Sequence, residues 1–459
     1  MRKVFPKNGL FLISVFIIYV LLLISSLRFH EMWRDELQAW SISSSSRSLF
    51  DLYQNTRYEG HPLLWYLMLY AITRFTPNPL YLQITNIVIA SSAVFIFLRF
   101  NPLNRFLKLL FVFGYFPLFE YGIKSRPYFL GILFIFLFCA VYQKRPKNLL
   151  ALSIILFLLT QTTFIGFISA FWLGMYVVYA QRKQLFSRLP PLRNFTALAV
   201  FLSGLLLCIV QVIPPPDTAL VNSPGLSLYA WHAFTSLSFG FLNIPASPIF
   251  FLICLLIFKT STSRYFYLLT GLSYYCFYTF FYYGQSWHFG YLFIFLIALL
   301  WLETSASKDN SPGLPKTVIL TALLVSLLSF GIYYYCLDYK FPYSHSREVA
   351  GYLIKSGLDR NFIVGDPDYA MVPISVYLHK SIYYPKSHRQ GTFVVWNKSS
   401  GIYGADNVLS LITVKKQLSD QPIIFISNYK LASVYASHEI REFSSYSIWP
   451  DEKYYLYSF

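Results

Sequence analysis

HPLLWYLMLYAITRF, residues 61–75, decides how the rest of the chain is threaded. The stretch is apolar, yet it is shorter than the roughly 17–25 residues that a membrane-spanning helix needs. Counting it as a span would move Arg99, Arg105, Lys108, Lys144, Arg145 and Lys147 to the outer side. Leaving it out gathers them in the cytoplasm with Arg182, Lys183, Arg188, Arg193, Lys259, Arg264, Lys308 and Lys316. Basic residues accumulate in short cytoplasmic loops, so residues 61–75 read as a helix lying along the outer surface. Residues 28–79 then form one external loop. In it, Arg28, Arg34, Arg47, Arg57 and Arg74 are matched by Glu31, Asp35, Glu36, Asp51 and Glu59. This contrast sets the N-terminus inside and the C-terminus outside.

Composition explains why a membrane is needed at all. The 459 residues are 56% hydrophobic and only 12% charged, with a mean hydropathy of +0.49. A typical soluble domain is about 25% charged, and no single soluble core could bury this much apolar surface. Eleven spans are expected: 9–27, 80–98, 107–120, 127–142, 149–163, 164–180, 195–213, 241–258, 264–283, 288–303 and 316–336. Gln161-Thr162-Thr163 marks the break inside 149–180. The N-terminal run after Arg2, Lys3 and Lys7 resembles a signal peptide, but its apolar part is too long and no small-residue cleavage site follows, so it reads as an uncleaved first span. The net charge of +17 follows from the basic cytoplasmic loops rather than from a nucleic-acid partner, and it would also suit an anionic lipid-linked substrate. Cys139, Cys208, Cys254, Cys276 and Cys336 lie in or at the ends of apolar runs without metal-ligand spacing, as small buried hydrophobes do.

The character changes near Asp338. The fold class that follows is an all-α polytopic membrane domain over 1–337 and an extracytoplasmic α/β domain over 338–459. In the latter, Ser346 to Lys355 and Asn407 to Gln417 read as helices, and Asn361 to Val364, Phe393 to Trp396, Pro422 to Ile426 and Tyr454 to Phe459 as strands. Gly365-Asp366-Pro367-Asp368 with His379 invites a metal, but Gly, Asp and Pro are turn formers and a turn after a strand is the better account.

Several residues could carry chemistry. Trp33-Arg34-Asp35-Glu36 places two carboxylates just outside the first span. A carboxylate in a partly desolvated site can act as a general base, and the plainer alternative is a solvated loop. Downstream, Tyr58-Glu59-Gly60-His61-Pro62-Leu63-Leu64 opens the surface helix, with Pro62 in its first turn. His61 faces the same space as Asp35, as a site residue or as a helix cap. Glu120, Lys124 and Arg126 come where the third span reaches the outer surface. Buried cations there need a partner or a cavity, and a phosphate suits Arg and Lys, unless they only snorkel to the interface. His288 starts a span from the same side, to bind a phosphate or to pair with a neighbour. The sequence contains no phosphate-cradling Gly loop, HExxH or GxSxG.

The order of a first span, an external acidic pair, His61-Pro62-Leu63 before a hydrophobic helix, and Ser125-Arg126-Pro127-Tyr128 after the third span resembles the multispan glycosyltransferases of the GT-C fold. That group contains protein O-mannosyltransferases and aminoarabinose transferases. The resemblance covers about the first 140 residues, with an echo at Gly284-Gln285-Ser286-Trp287-His288-Phe289-Gly290. It implies a polyprenyl-phosphate sugar donor, transfer with inversion on the outer face of a bacterial plasma membrane, and an acceptor that is a glycan, a lipid or a protein. It assigns the base or metal-associated acid to Asp35, with Glu36 beside it. Donor-phosphate contacts then fall to Arg126, Lys124 and His288, and other substrate contacts to Glu59, His61 and Glu120. A divalent cation, Mg or Mn, is the one cofactor it admits, at Asp35. The chain departs from the family in lacking the second Pro of an HPPL-type motif, and in having no acid soon after Arg126. A transporter or flippase of a lipid-linked anionic substrate would use the same cations without chemistry, and an assembly protein would need neither.

Overall fold

The computed structural model describes residues 8–185, 192–219, 226–239, 245–306, 314–418 and 422–459. Arg2, Lys3, Lys7, Arg188, Lys308 and the start of the expected span 241–258 lie outside them.

The chain opens with α1 (Asn8–Ser26), then α2 (Arg34–Ser45), α3 (Leu49–Thr56), α4 (Leu64–Thr73) and α5 (Leu80–Phe100). The stretch at 61–75 is therefore a ten-residue helix. At 1.5 Å per residue it reaches about 15 Å, half the hydrocarbon thickness. It buries Trp65, Tyr66 and Leu69 and packs on α2. Next come α6 (Arg105–Val112), a π-helical stretch (Phe116–Ile123), α7 (Tyr128–Lys144), α8 (Leu149–Thr160), α9 (Phe164–Leu185), α10 (Leu192–Val212), α11 (Leu226–Thr235), α12 (Ser247–Leu255), α13 (Ser261–Phe280), α14 (Ser286–Ala306) and α15 (Leu314–Lys340).

Seven helical segments among the described residues are long and apolar enough to cross a bilayer: Gly9–Ser26, Leu80–Phe100, Arg105–Ile123, Phe164–Arg182, Asn194–Val212, Ser286–Ala306 and Lys316–Lys340. The chain is a multi-pass integral membrane protein. Four expected spans are helices that fall short of that standard. α7, α8 and α12 have 17, 12 and 9 residues, and α13 has the length but carries Tyr265, Tyr267, Tyr274, Tyr275 and Tyr278 with Ser and Thr between them. The spans differ in what surrounds them. α1 leaves Leu10, Ile13, Ile17, Leu21 and Ile24 exposed, a face for lipid. α14 is buried at every position from Trp287 to Glu303, as an all-round apolar helix at the centre of a bundle must be. Gly290 lets the π-helical stretch lie against α14, because a Cβ there would collide with the ring of Phe116.

The C-terminal part adds α16 (Ser346–Lys355), β1 (Phe362–Asp366), α17 (Asp368–Leu378), β2 (Ile382–Tyr384), β3 (Arg389–Gly391), α18 (Ala405–Leu418), β4 (Ile423–Ser427), β5 (Glu439–Phe443) and β6 (Tyr454–Ser458). The sheet order is β3-β2-β1-β4-β6-β5, with β1 parallel to β2 and β4 and the other pairs antiparallel. Phe393 to Trp396, expected as a strand, is loop outside the sheet. It is pinned by Ala219 N donating to the Trp396 carbonyl at 2.8 Å and Lys398 N to the Asp217 carbonyl at 2.9 Å. The Asp366–Asp368 turn is a strand-to-helix junction. Asp366 accepts from Tyr403 N, Gly404 N and the Tyr429 hydroxyl, and Asp368 from Tyr369 N and Gly401 N. His379 ends α17 in the left-handed region at φ 52°. These carboxylates hold the turn through backbone N–H groups and the Tyr429 hydroxyl.

Candidate functional site

α2 starts where Trp33 leaves extended backbone, and Glu36 reaches back to accept from Trp33 N at 3.3 Å. Asp35 lies in the first turn, where the helix dipole favours a carboxylate. Successive helix residues point about 100° apart, and here that rotation separates two acids adjacent in sequence. Asp35 turns into a cavity of about 880 Å³. Glu36 turns into the protein and is fully buried.

The loop after the π-helical stretch brings Arg126 to Asp35. Asn86 of α5 holds that loop by donating to the carbonyls of Tyr121, Gly122 and Lys124. Arg126 Nη2 lies 3.1 Å from Asp35 Oδ2, and its guanidinium sits over the rings of Trp287 at 4.6 Å and Tyr128 at 4.9 Å. Arg126 Nη1 is buried without a hydrogen-bond partner among the described residues, so one arm of the fork remains available. Arg34 flanks Asp35 on the other side at 3.9 Å and pairs with Asp451 of the C-terminal part at 3.6 Å.

Glu59, His61 and His288 also line the cavity. Burial lifts Glu59 to about 7, and the Asp35 charge adds to that lift, although hydrogen bonds from Gln38 and Tyr66 oppose it. Burial lowers His61 to about 4 with help from the Arg126 charge, and its Nδ1 has no partner among the described residues. His61 is therefore neutral and no helix cap, since α4 begins three residues later. The ring of His288 faces two donors, Gln285 N at 2.8 Å and Trp287 Nε1 at 3.1 Å. An imidazolium could accept from neither, so His288 brings no positive charge to a phosphate. The cavity's fixed charges are thus Arg34 and Arg126 against Asp35 and Asp451.

Glu36, Glu120 and Lys124, expected at the site, do not line the cavity. Glu36 accepts from Ser125 N at 2.6 Å and His30 Nε2 at 3.1 Å, and His30 Nδ1 meets Asp338 at 2.8 Å. Burial alone would depress His30, but the carboxylates of Asp338 and Glu36 outweigh it and raise it to about 10. Glu36 is half of a buried charge lock behind α2. Lys124 is paired internally with Glu120 at 2.7 Å, and Glu120 also accepts from the Tyr115 hydroxyl. A buried ammonium needs such a partner, which removes both from contact with a ligand. Among the described residues no group of three or more His, Cys, Asp and Glu could hold a metal ion, and both Asp35 oxygens face arginines. The residues present do not form a ligand set for the cation that the resemblance admits.

Sequence reasoning missed the cavity's second half. Phe164, Ile209, Ile213, Phe277 and Phe281 form an apolar wall, of which Ile209, Ile213 and Phe281 continue to the exposed surface. Tyr369, Trp396, Trp449 and Asp451 close the polar end from the C-terminal part. No short motif announces them, because they join Asp35 only through tertiary contacts such as Arg34 N donating to Glu452 at 3.0 Å, 418 residues away. Compared with protein-family models, with curated proteins and with solved structures, the chain finds no match.

Proposed function

We propose that the protein is a GT-C-type membrane glycosyltransferase that moves a sugar from a polyprenyl-phosphate donor to an acceptor. The observation that carries this reading is the Asp35–Arg126 pair, 3.1 Å apart, set where the polar end of the cavity meets a wall of membrane-helix side chains. An amphiphile with one phosphate suits such a cavity. Its chain follows the apolar wall to lipid, and its phosphate meets the free arm of Arg126, whose planar fork matches phosphate oxygens.

The chemistry follows from the ion pair. An acceptor hydroxyl gives its proton to Asp35 as its oxygen bonds to the anomeric carbon. The bond from that carbon to the phosphate oxygen breaks on the opposite face, and the electron pair leaves with polyprenyl phosphate. Configuration inverts. The phosphate needs no proton to depart. As Asp35 is neutralised, Arg126 loses its counter-charge at the moment when negative charge grows on the leaving group. A preorganised cation is most useful at that moment. Neutral His61 adds no positive charge to the cavity, and burial holds Glu59 largely protonated below about pH 7.

In this reading α7, α8, α12 and α13 complete eleven spans, the N-terminus is cytoplasmic, and the C-terminal domain lies outside a bacterial plasma membrane. A C-terminal reporter active only in the cytoplasm should be silent, and strong signal overturns the orientation. The activity is tested with purified protein in lipid nanodiscs and a panel of polyprenyl-phosphate sugars. Release of polyprenyl phosphate above the no-protein rate is expected for at least one donor. Release from none of them, with folded protein, would sink the proposal.

A further inference from the structure

We infer that the C-terminal domain supplies a saccharide-binding face to this cavity. Tyr369 and Trp396 form a stacked aromatic pair, with ring planes inclined by 16° and centroids 6.3 Å apart. Both line the cavity, and both are positioned by independent devices. Tyr369 sits in the first turn of α17, which packs on α2. Trp396 is fixed by the backbone bond from Ala219. The guanidinium of Arg34 lies 4.9 Å from the Tyr369 ring centre and 5.6 Å from that of Trp449, which joins this pair to Asp35.

Three N–H groups at this end are unsatisfied. Trp33 Nε1, Trp449 Nε1 and Arg34 Nη1 are buried without hydrogen-bond partners among the described residues, and Trp33 is only 1% exposed. Buried donors are ordinarily paired, and these three belong to residues that line the cavity, so an acceptor reaching them through a small side-chain adjustment would satisfy them. A pyranose ring answers both features. Its C–H face suits the electron-rich face of an aromatic ring, and its rim of hydroxyls accepts from indole and guanidinium N–H groups and donates to Asp451. A nucleobase would also stack, but Asp35 and Asp451 at the same end oppose the repeated charge of a phosphodiester chain. A peptide strand would need a sheet edge, and the wall is built from α17 and loop residues instead.

The inference deepens the proposed function and rests on it only for the source of the ring, which is an acceptor glycan or the donor's own sugar. The test uses the full chain in nanodiscs with two probes: an array of neutral and acidic oligosaccharides, and undecaprenyl phosphate with and without a glucosyl group. Binding of at least one oligosaccharide class, weakened about ten-fold by Trp396→Ala and by Tyr369→Ala, assigns the face to an acceptor. Loss in these variants of only the affinity added by the glucosyl group assigns it to the donor. Bare undecaprenyl phosphate should bind them as it binds wild type. Trp396→Phe keeps a ring and should restore most of the lost affinity, which guards against misfolding. The inference fails if neither probe shows a saccharide contribution, or if the alanine variants leave it unchanged. Saccharide binding without transfer would sink the glycosyltransferase reading and leave the subsite standing. Transfer with unaltered alanine variants would do the reverse.

Discussion

Asp35 and Glu36 are neighbours in the chain and opposites in the structure. One faces a cavity, with 28% of its side chain exposed and one strong cationic partner. The other is sealed between His30, Ser125 N and the start of its own helix. A carboxylate whose oxygens are all occupied by buried donors organises structure. A carboxylate that faces open space between two arginines, one close and one distant, can exchange a proton. What separates them is a rotation of about 100°.

The largest expected effect is on Asp35. Asp35→Asn keeps the size of the side chain and removes the base, so single-turnover transfer should fall about 10²–10⁴-fold while donor affinity and unfolding stay near wild type. Unchanged transfer would erase the contrast. Glu36→Ala should act through stability instead. It leaves His30 half-paired in a dry site, and breaking a buried charge pair costs about 3–5 kcal/mol, readable as a lowered unfolding midpoint in detergent. Stability equal to wild type would mean that the lock behind α2 is idle.

The seam between α2 and the C-terminal domain should respond to pH. Glu452 is fully buried, and burial, partly offset by Arg34, raises it from 4.5 to about 7. Between these values the folded protein holds more protons than the unfolded chain, so stability falls as pH rises through that window. Glu31, raised by burial to about 6, acts in the same sense, and His30 does so between 6.5 and about 10. His61 opposes them only below 6.5. The share of Glu452 is on the order of 3 kcal/mol at most. Glu452→Gln should flatten the decline in unfolding midpoint between pH 5 and 7 and leave the higher window alone. An unaltered profile would remove Glu452 from the seam. The smallest effect is Arg126→Lys. Lys keeps the charge but loses the fork that reaches Asp35 and a phosphate together, and transfer should drop about ten-fold or more with equal expression. Wild-type turnover would reduce Arg126 to a bystander.

Half of this was readable in the chain itself. Asp35, Glu59, His61, Arg126 and His288 stand near helix ends in an order that suggested a shared space, and the cavity brings them together. Glu36 and Lys124 were misplaced because proximity in sequence does not report which way a side chain turns, nor that Glu120 sits within reach of Lys124. β2 and β3, three residues each, are too short for any alternation to show. Phe393 to Trp396 has strand-forming residues, but tertiary bonds to residues 217–219 hold it as a cavity wall. The aromatic face and Asp451 were illegible for a related reason. Nothing local distinguishes an aromatic residue that packs a core from one that lines a cleft.

The long reach of the bonds around α2 has a consequence for biosynthesis. His30 meets Asp338, Gln38 meets Val394 and Arg34 meets Glu452, across 308, 356 and 418 residues. At about 5–20 residues per second, a ribosome needs tens of seconds to bring each later partner out after the earlier one. Until then the first loop waits with its cavity open and His30 holding only one of its two carboxylate partners, Glu36. A chain interrupted between the end of α15 and residue 449 has its membrane helices but lacks Trp449 and Asp451 of the far wall. The order of synthesis thus acts as a quality check: only a finished chain closes the site.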